Sequence, residues 1–196
     1  MTLSIDIKEK FFKVITGDIS LEDFEQWAYS CKELENYLGS DGYLDLISLS
    51  FKKSSDKYEL RKFLQKYIDN GELETYKMLK LLKKAQQKNE KLPYILIEFY
   101  DLYCKGYEFL HDLGLVFGLA VAAPTVSNSS ANTWDELTKE QQNELLNSFS
   151  PELEKCIEQV IYWLETKRII LTGEQNEMEH YCYKDFRAKV VYFNYL

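Results

Sequence analysis

Apolar residues recur along most of the chain at steps of three and four, the spacing that gathers side chains onto one face of a helix. The longest such stretch is Leu92–Leu115, LPYILIEFYDLYCKGYEFLHDLGL, where Ile95, Leu96, Phe99, Leu102, Tyr103, Tyr107 and Leu110 make a wide stripe. The pattern predicts one central helix. Pro93 opens it inside the first turn, where no N–H is needed, and Gly114 closes it as a left-handed cap. On another face Glu98, Asp101, Lys105, Glu108 and Asp112 follow one another at three and four, which draws a line of mostly negative charge.

Before this helix the same period predicts a series of shorter ones. Ile5–Ile15 presents Ile5, Phe11, Phe12 and Ile15 and stops at Gly17; Ser20 then caps a helix with acids in its first turn and Phe24, Trp27 and Ala28 on its apolar face. Lys32–Leu38 ends at Gly39, and Tyr43–Phe51 comes next with Leu44, Ile47, Leu49 and Phe51 apolar. Lys57–Ile68 carries Leu60, Phe63, Leu64 and Tyr67 on one stripe; after a turn at Asp69-Asn70-Gly71, Glu72–Gln87 carries Leu73, Tyr76, Leu79 and Leu82. The last two form a predicted helical hairpin, and 1–90 reads as a run of antiparallel helices.

Beyond the central helix, Leu115–Ala123 fits either an extended buried segment or an extra turn, and Pro124–Asn132 is a polar loop. Thr133–Glu136 and Thr138–Gln141 both match the capping box, and Leu137, Leu145, Leu146 and Phe149 supply the apolar face of a helix there. Ser150-Pro151 restarts the chain as N-cap and first helical residue of a helix to Glu165. The ending changes period. Arg168–Thr172, Met178–Tyr183 and Val190–Tyr195 are extended in type, with turn residues at Gly173–Asn176. The expectation is one domain over 1–196, mainly α (α+β): a multi-helix bundle or irregular superhelix (1–90), central and acidic helices (91–166) and a small antiparallel sheet (167–196).

Composition narrows the class. A hydrophobic content of 45% with 29% charged residues is that of a soluble globular chain. The opening residues show no basic leader with an apolar core, no apolar run is long enough to span a membrane, and the cysteines at 31, 104, 156 and 182 stand singly, as reduced core thiols do; a cytoplasmic setting is expected. The net charge of −8 is unevenly spread. Ten acids face four bases in 1–51, five face eleven in 52–88, and twelve face three in 92–165. Segregated charge suits a protein that meets a basic protein partner with one surface, and it argues against direct binding of nucleic acid.

Catalytic signatures are missing. There is no GxxxxGK[ST], GxGxxG, HExxH or GxSxG, and His111 and His180 are the only histidines. Cys104 with His111, seven apart, and His180 with Cys182, two apart, offer four N/S donors, but neither pair has the tight spacing of a zinc site. No metal or cofactor is expected. Carboxylate pairs such as Asp135 with Glu136 fit acid–base or metal chemistry, yet with 32 acids in the chain such pairs arise freely.

Through Ser20–Phe51 (SLEDFEQWAYSCKELENYLGSDGYLDLISLSF), Tyr58–Tyr76 (YELRKFLQKYIDNGELETY), Leu92–Gly114 and Ile169–Gln175 (IILTGEQ), the chain resembles bacterial immunity proteins of polymorphic toxin and contact-dependent growth-inhibition systems. That resemblance implies a non-enzymatic cytoplasmic antidote that binds a cognate toxin domain, often a nuclease, and occludes its active site or substrate groove. A nuclease groove is basic, so the acidic part of the chain is the expected contact surface, with Glu98, Asp101, Glu108, Asp112, Asp135, Glu136, Glu140 and Glu144 as candidates. Two alternatives stand beside it. One is a helical adaptor that uses 52–88 to hold an acidic partner or a second copy; the other is an enzyme with a carboxylate-bound metal.

Overall fold

The computed structural model describes residues 5–51, 55–125 and 131–187. Its elements are mainly α-helical with one small antiparallel sheet, and they fall into two compact units, 1–73 and 74–196.

The first unit holds α1 (Ile5–Thr16), α2 (Leu21–Ser30), α3 (Lys32–Ile47), α4 (Asp56–Leu64) and the start of α5 (Asn70–Gln86). Gly17, at φ 77°, ends α1, and Ser20 Oγ accepts from the Asp23 N–H to cap α2. Gly39 leaves the helical region inside α3, so the two short helices expected from the sequence run on with a kink between them. Leu44, one of the apolar residues of the expected helix Tyr43–Phe51, is 56% exposed, whereas Leu46 is buried. Asp69 caps α5 by accepting from the Glu72 N–H, so the predicted turn residues Asn70 and Gly71 are already helical. Phe24 sits among Phe11, Trp27 and Phe51, with ring centroids 5.3–6.2 Å away, an aromatic cluster within an otherwise mostly aliphatic core.

The second unit is built around α6 (Leu92–Cys104). Leu92, Pro93, Ile95, Leu96 and Phe99 are buried, and Pro93 lies in the first turn as expected. The single helix expected to reach Leu115 stops at Cys104. Gly106 stands at φ 107°, and a Cβ there would come within 2.9 Å of the His180 Cβ and 3.2 Å of the Tyr181 nitrogen, so only glycine fits. The chain then forms a 3-10 turn (Glu108–Leu110), a π-helical segment (Asp112–Gly118) and α7 (Leu119–Ala122), so Leu115–Ala123 is helical up to Ala122.

Gly114 is not a cap. It lies inside the π-helical segment, where a Cβ would meet the Phe99 carbonyl oxygen at 2.8 Å; at Gly118 it would meet that of Leu96 at 2.3 Å. The later glycine touches the earlier residue, so this segment runs antiparallel to α6 at backbone contact distance. Tyr107 and Leu110 nevertheless reach the same core as Leu96 and Phe99.

A second 3-10 turn (Trp134–Glu136) leads to α8 (Lys139–Ser148) and α9 (Glu152–Glu165). The capping box exists at Thr138 and Gln141, whereas Thr133 makes no side-chain cap, and Pro151 precedes the first residue of α9 as its N-cap. Leu153, Ile157, Val160 and Leu164 bury one face of α9. β1 (Ile169–Gln175) then pairs antiparallel with β2 (Tyr181–Asp185), with Ile169 and Leu171 turned into the core. The expected turn at Gly173–Asn176 is instead a bulge: the register shifts between Leu171 and Gln175, with Gly173 at φ 71°, and the reversal comes at 176–180. Asn176 Oδ1 holds that reversal by accepting from the Met178 and His180 N–H groups. The predicted strand Val190–Tyr195 and most of the predicted loop Pro124–Asn132 lie outside the described residues.

Candidate functional site

A groove of about 840 Å³ lies in the second unit. Its first wall is the start of α6, where Lys91, Tyr94, Ile95 and Glu98 repeat at three and four and so lie along one line. A second wall comes from α8, where Lys139, Gln142, Asn143 and Leu146 repeat in the same way. Leu81 and Lys84 of α5 and Trp134 and Asp135 of the 3-10 turn complete it, with Pro93 and Trp134 buried below.

Polar contacts fix this arrangement. The Tyr94 hydroxyl donates to Asp135 Oδ1 at 2.8 Å, which ties α6 to the 3-10 turn and raises the Tyr94 pKa. Gln142 is the one buried polar side chain among the described residues, and both ends of its amide are used: Nε2 donates to the Trp134 carbonyl at 3.0 Å and Oε1 accepts from Lys139 Nζ at 3.2 Å. Glu98 differs. Its side chain has no ion-pair or hydrogen-bond partner among the described residues. Desolvation raises its pKa, with Lys84 opposing and Asp101 adding to the rise.

Of the eight acids expected to form one surface, only Glu98 and Asp135 line this groove. Asp101 stands on α6, one turn beyond Glu98. The helix break carries Glu108 onto the first 3-10 turn and Asp112 into a separate cleft of about 210 Å³ lined also by Phe109, Lys155, Cys156 and Trp163. There Asp112 Oδ1 lies 2.9 Å from His111 Nδ1. Glu136 Oε2 accepts from the Asn132 N–H at 2.7 Å, and Glu140 and Glu144 lie on α8 outside its groove-lining row. All eight are exposed, but they do not converge.

Lys91, Lys139, Trp134 and Gln142 carry no signal in the sequence that marks them as lining residues, while Lys84 belongs to the basic face of 52–88. The two helical rows were available as spacing; the fold alone brings them face to face. No group of three or more His, Cys, Asp or Glu side chains with metal-binding geometry occurs among the described residues. All four cysteines are free, and none is a core residue: Cys104 is exposed and the others are half-buried, with burial raising the pKa of the Cys156 thiol. No helix among the described residues is long and apolar enough to cross a membrane. Chemically, the groove offers paired recognition of positive and negative charge over an apolar floor. No known protein family, curated protein or solved structure matches the chain.

Proposed function

We propose that this chain is an immunity protein, a non-enzymatic antidote that binds a cognate toxin domain in the cytoplasm, by preference a nuclease, and occludes its active site or substrate groove. The observation that carries this reading is the exposure of acid in the second unit. Of the twelve acidic residues in 92–165, eleven are exposed and Glu154 alone is half-buried, against three lysines in the same stretch. Acid exposed at so many positions, though not gathered at one point, gives a negative field that accelerates encounter with a basic groove at low ionic strength. The resemblance to immunity proteins supports the same reading.

The test is capture of partners by the tagged protein from its native host at low salt. Recovery of a secreted toxin domain, released by high salt, whose toxicity co-expression of this chain abolishes, is the expected result. Reversing Asp101, Glu140 and Glu144 to lysine then weakens binding at least tenfold and flattens its salt dependence; unchanged affinity and salt slope overturn the acidic surface as the contact. The adaptor reading rests on the exposed cations Lys57, Arg61, Lys62 and Lys66 of α4 and the residues just after it. It predicts a salt-sensitive, concentration-dependent oligomer in the absence of any toxin.

A further inference from the structure

The groove does not have the chemistry of a purely acidic plug. Its walls carry Glu90, Glu98 and Asp135 but also Lys84, Lys91 and Lys139, so an occupant must bring both signs of charge. The charges are ordered along α6. Lys91 stands at its N-terminal end, Tyr94 and Ile95 one turn on, and Glu98 two turns on, which places the opposite charges about 10 Å apart at 1.5 Å per residue. The facing row on α8 runs over the same length, from Lys139 to Leu146. Two helical rows over an apolar floor are the setting in which a short amphipathic helix docks through positions i, i+3, i+4 and i+7.

We propose that this groove binds a two-turn amphipathic helix of a protein partner, with an acidic residue over Lys91, apolar residues above Ile95 and Trp134, and a basic residue seven positions after the acid against Glu98. Two dipoles set the polarity. An acid early and a base late stabilise the occupant's own helix, and the acid also meets the positive N-terminal end of α6. Glu98 has no hydrogen-bond or ion-pair contact among the described residues, only the charge of Lys84 across the groove, and its carboxylate is partly desolvated, so it gains from a cation that reaches hydrogen-bond distance. The identity of the partner as a toxin rests on the antidote reading; the chemistry of the groove does not.

The experiment pans a phage-displayed library of random dodecapeptides against the full chain, without any toxin. The expected winners share an acid, apolar residues three and four later, and a Lys or Arg at seven. Their affinity falls at least tenfold for Glu98→Lys and for Asn143→Trp, which fills the groove, with thermal unfolding used to verify that both variants are folded. A peptide with its base exchanged for glutamate binds Glu98→Lys better than it binds the wild-type chain. Failure to enrich peptides, winners that bind Glu98→Lys unchanged, or purely acidic winners directed to the exposed lysines of α4 would each overturn the proposal. Loss of toxin protection with intact peptide binding would instead remove the antidote reading alone.

Discussion

The apolar period that opens in Leu92–Cys104 runs on to Leu115, yet the first part is a regular helix and the chain from Lys105 to Ala122 is broken into 3-10, π and α turns. Both bury their stripes in the same core: Leu96 and Phe99 from one, Tyr107, Leu110 and Leu113 from the other. The difference lies in glycine. The first part has none, while Gly106, Gly114 and Gly118 let the second turn back and lie on α6 at distances that no side chain allows. Period three to four therefore reports which residues are buried more reliably than which hydrogen-bond ladder they form. A helix that folds back on its neighbour through glycines satisfies the same pattern as one that continues straight.

The contrast breaks most sharply at Gly118. Its Cβ would sit 2.3 Å from the Leu96 carbonyl oxygen, which belongs to backbone that cannot swing away, so Gly118→Ala is expected to cost roughly 3 kcal/mol by urea unfolding. Val116→Ala, two residues away and half exposed, should cost under about 0.5 kcal/mol, so equal effects would refute close packing as the cause. A smaller effect of opposite sign is expected at the junction. The Tyr107 ring stacks on Tyr181 with centroids 4.9 Å apart, but its hydroxyl is buried without a hydrogen-bond partner. Tyr107→Phe should thus stabilise the protein by about 1 kcal/mol, and a loss instead would mean that the hydroxyl has a partner.

The smallest effect belongs to the regular half. Glu98 has its folded pKa raised, chiefly by desolvation, so between its ordinary and raised values the folded state binds more protons than the unfolded one. Stability contributed by this group therefore falls as pH rises through that window. Glu98→Gln should raise the melting temperature slightly at pH 7 and leave it unchanged below the ordinary glutamate pKa; a gain at both pH values would point to packing rather than charge.

Elements closed by local chemistry were legible in the sequence. Gly17, Ser20 and the Thr138–Gln141 box act within four residues of themselves, and the structure has them as expected. Features decided at long range were not. Whether Gly106 or Gly114 ends α6 depends on Tyr181, some 70 residues away, and that Leu46 rather than Leu44 enters the core is set by what packs against α3. The candidate site divides along the same line. Exposure of the eight acids is expected from charge alone, but only the turn at Gly106 separates Glu108 and Asp112 from Glu98 and Asp101, and only tertiary packing sets Lys139 and Gln142 opposite α6.

The turn after α6 is joined to the sheet by main chain: the Tyr181 N–H donates to the Lys105 carbonyl at 2.7 Å. That amide proton is a reporter. Its exchange with deuterated solvent is slow only while α6 stops where it does and β2 lies against the stop, so one signal in a nuclear magnetic resonance spectrum tracks the helix break and the docking of the sheet together.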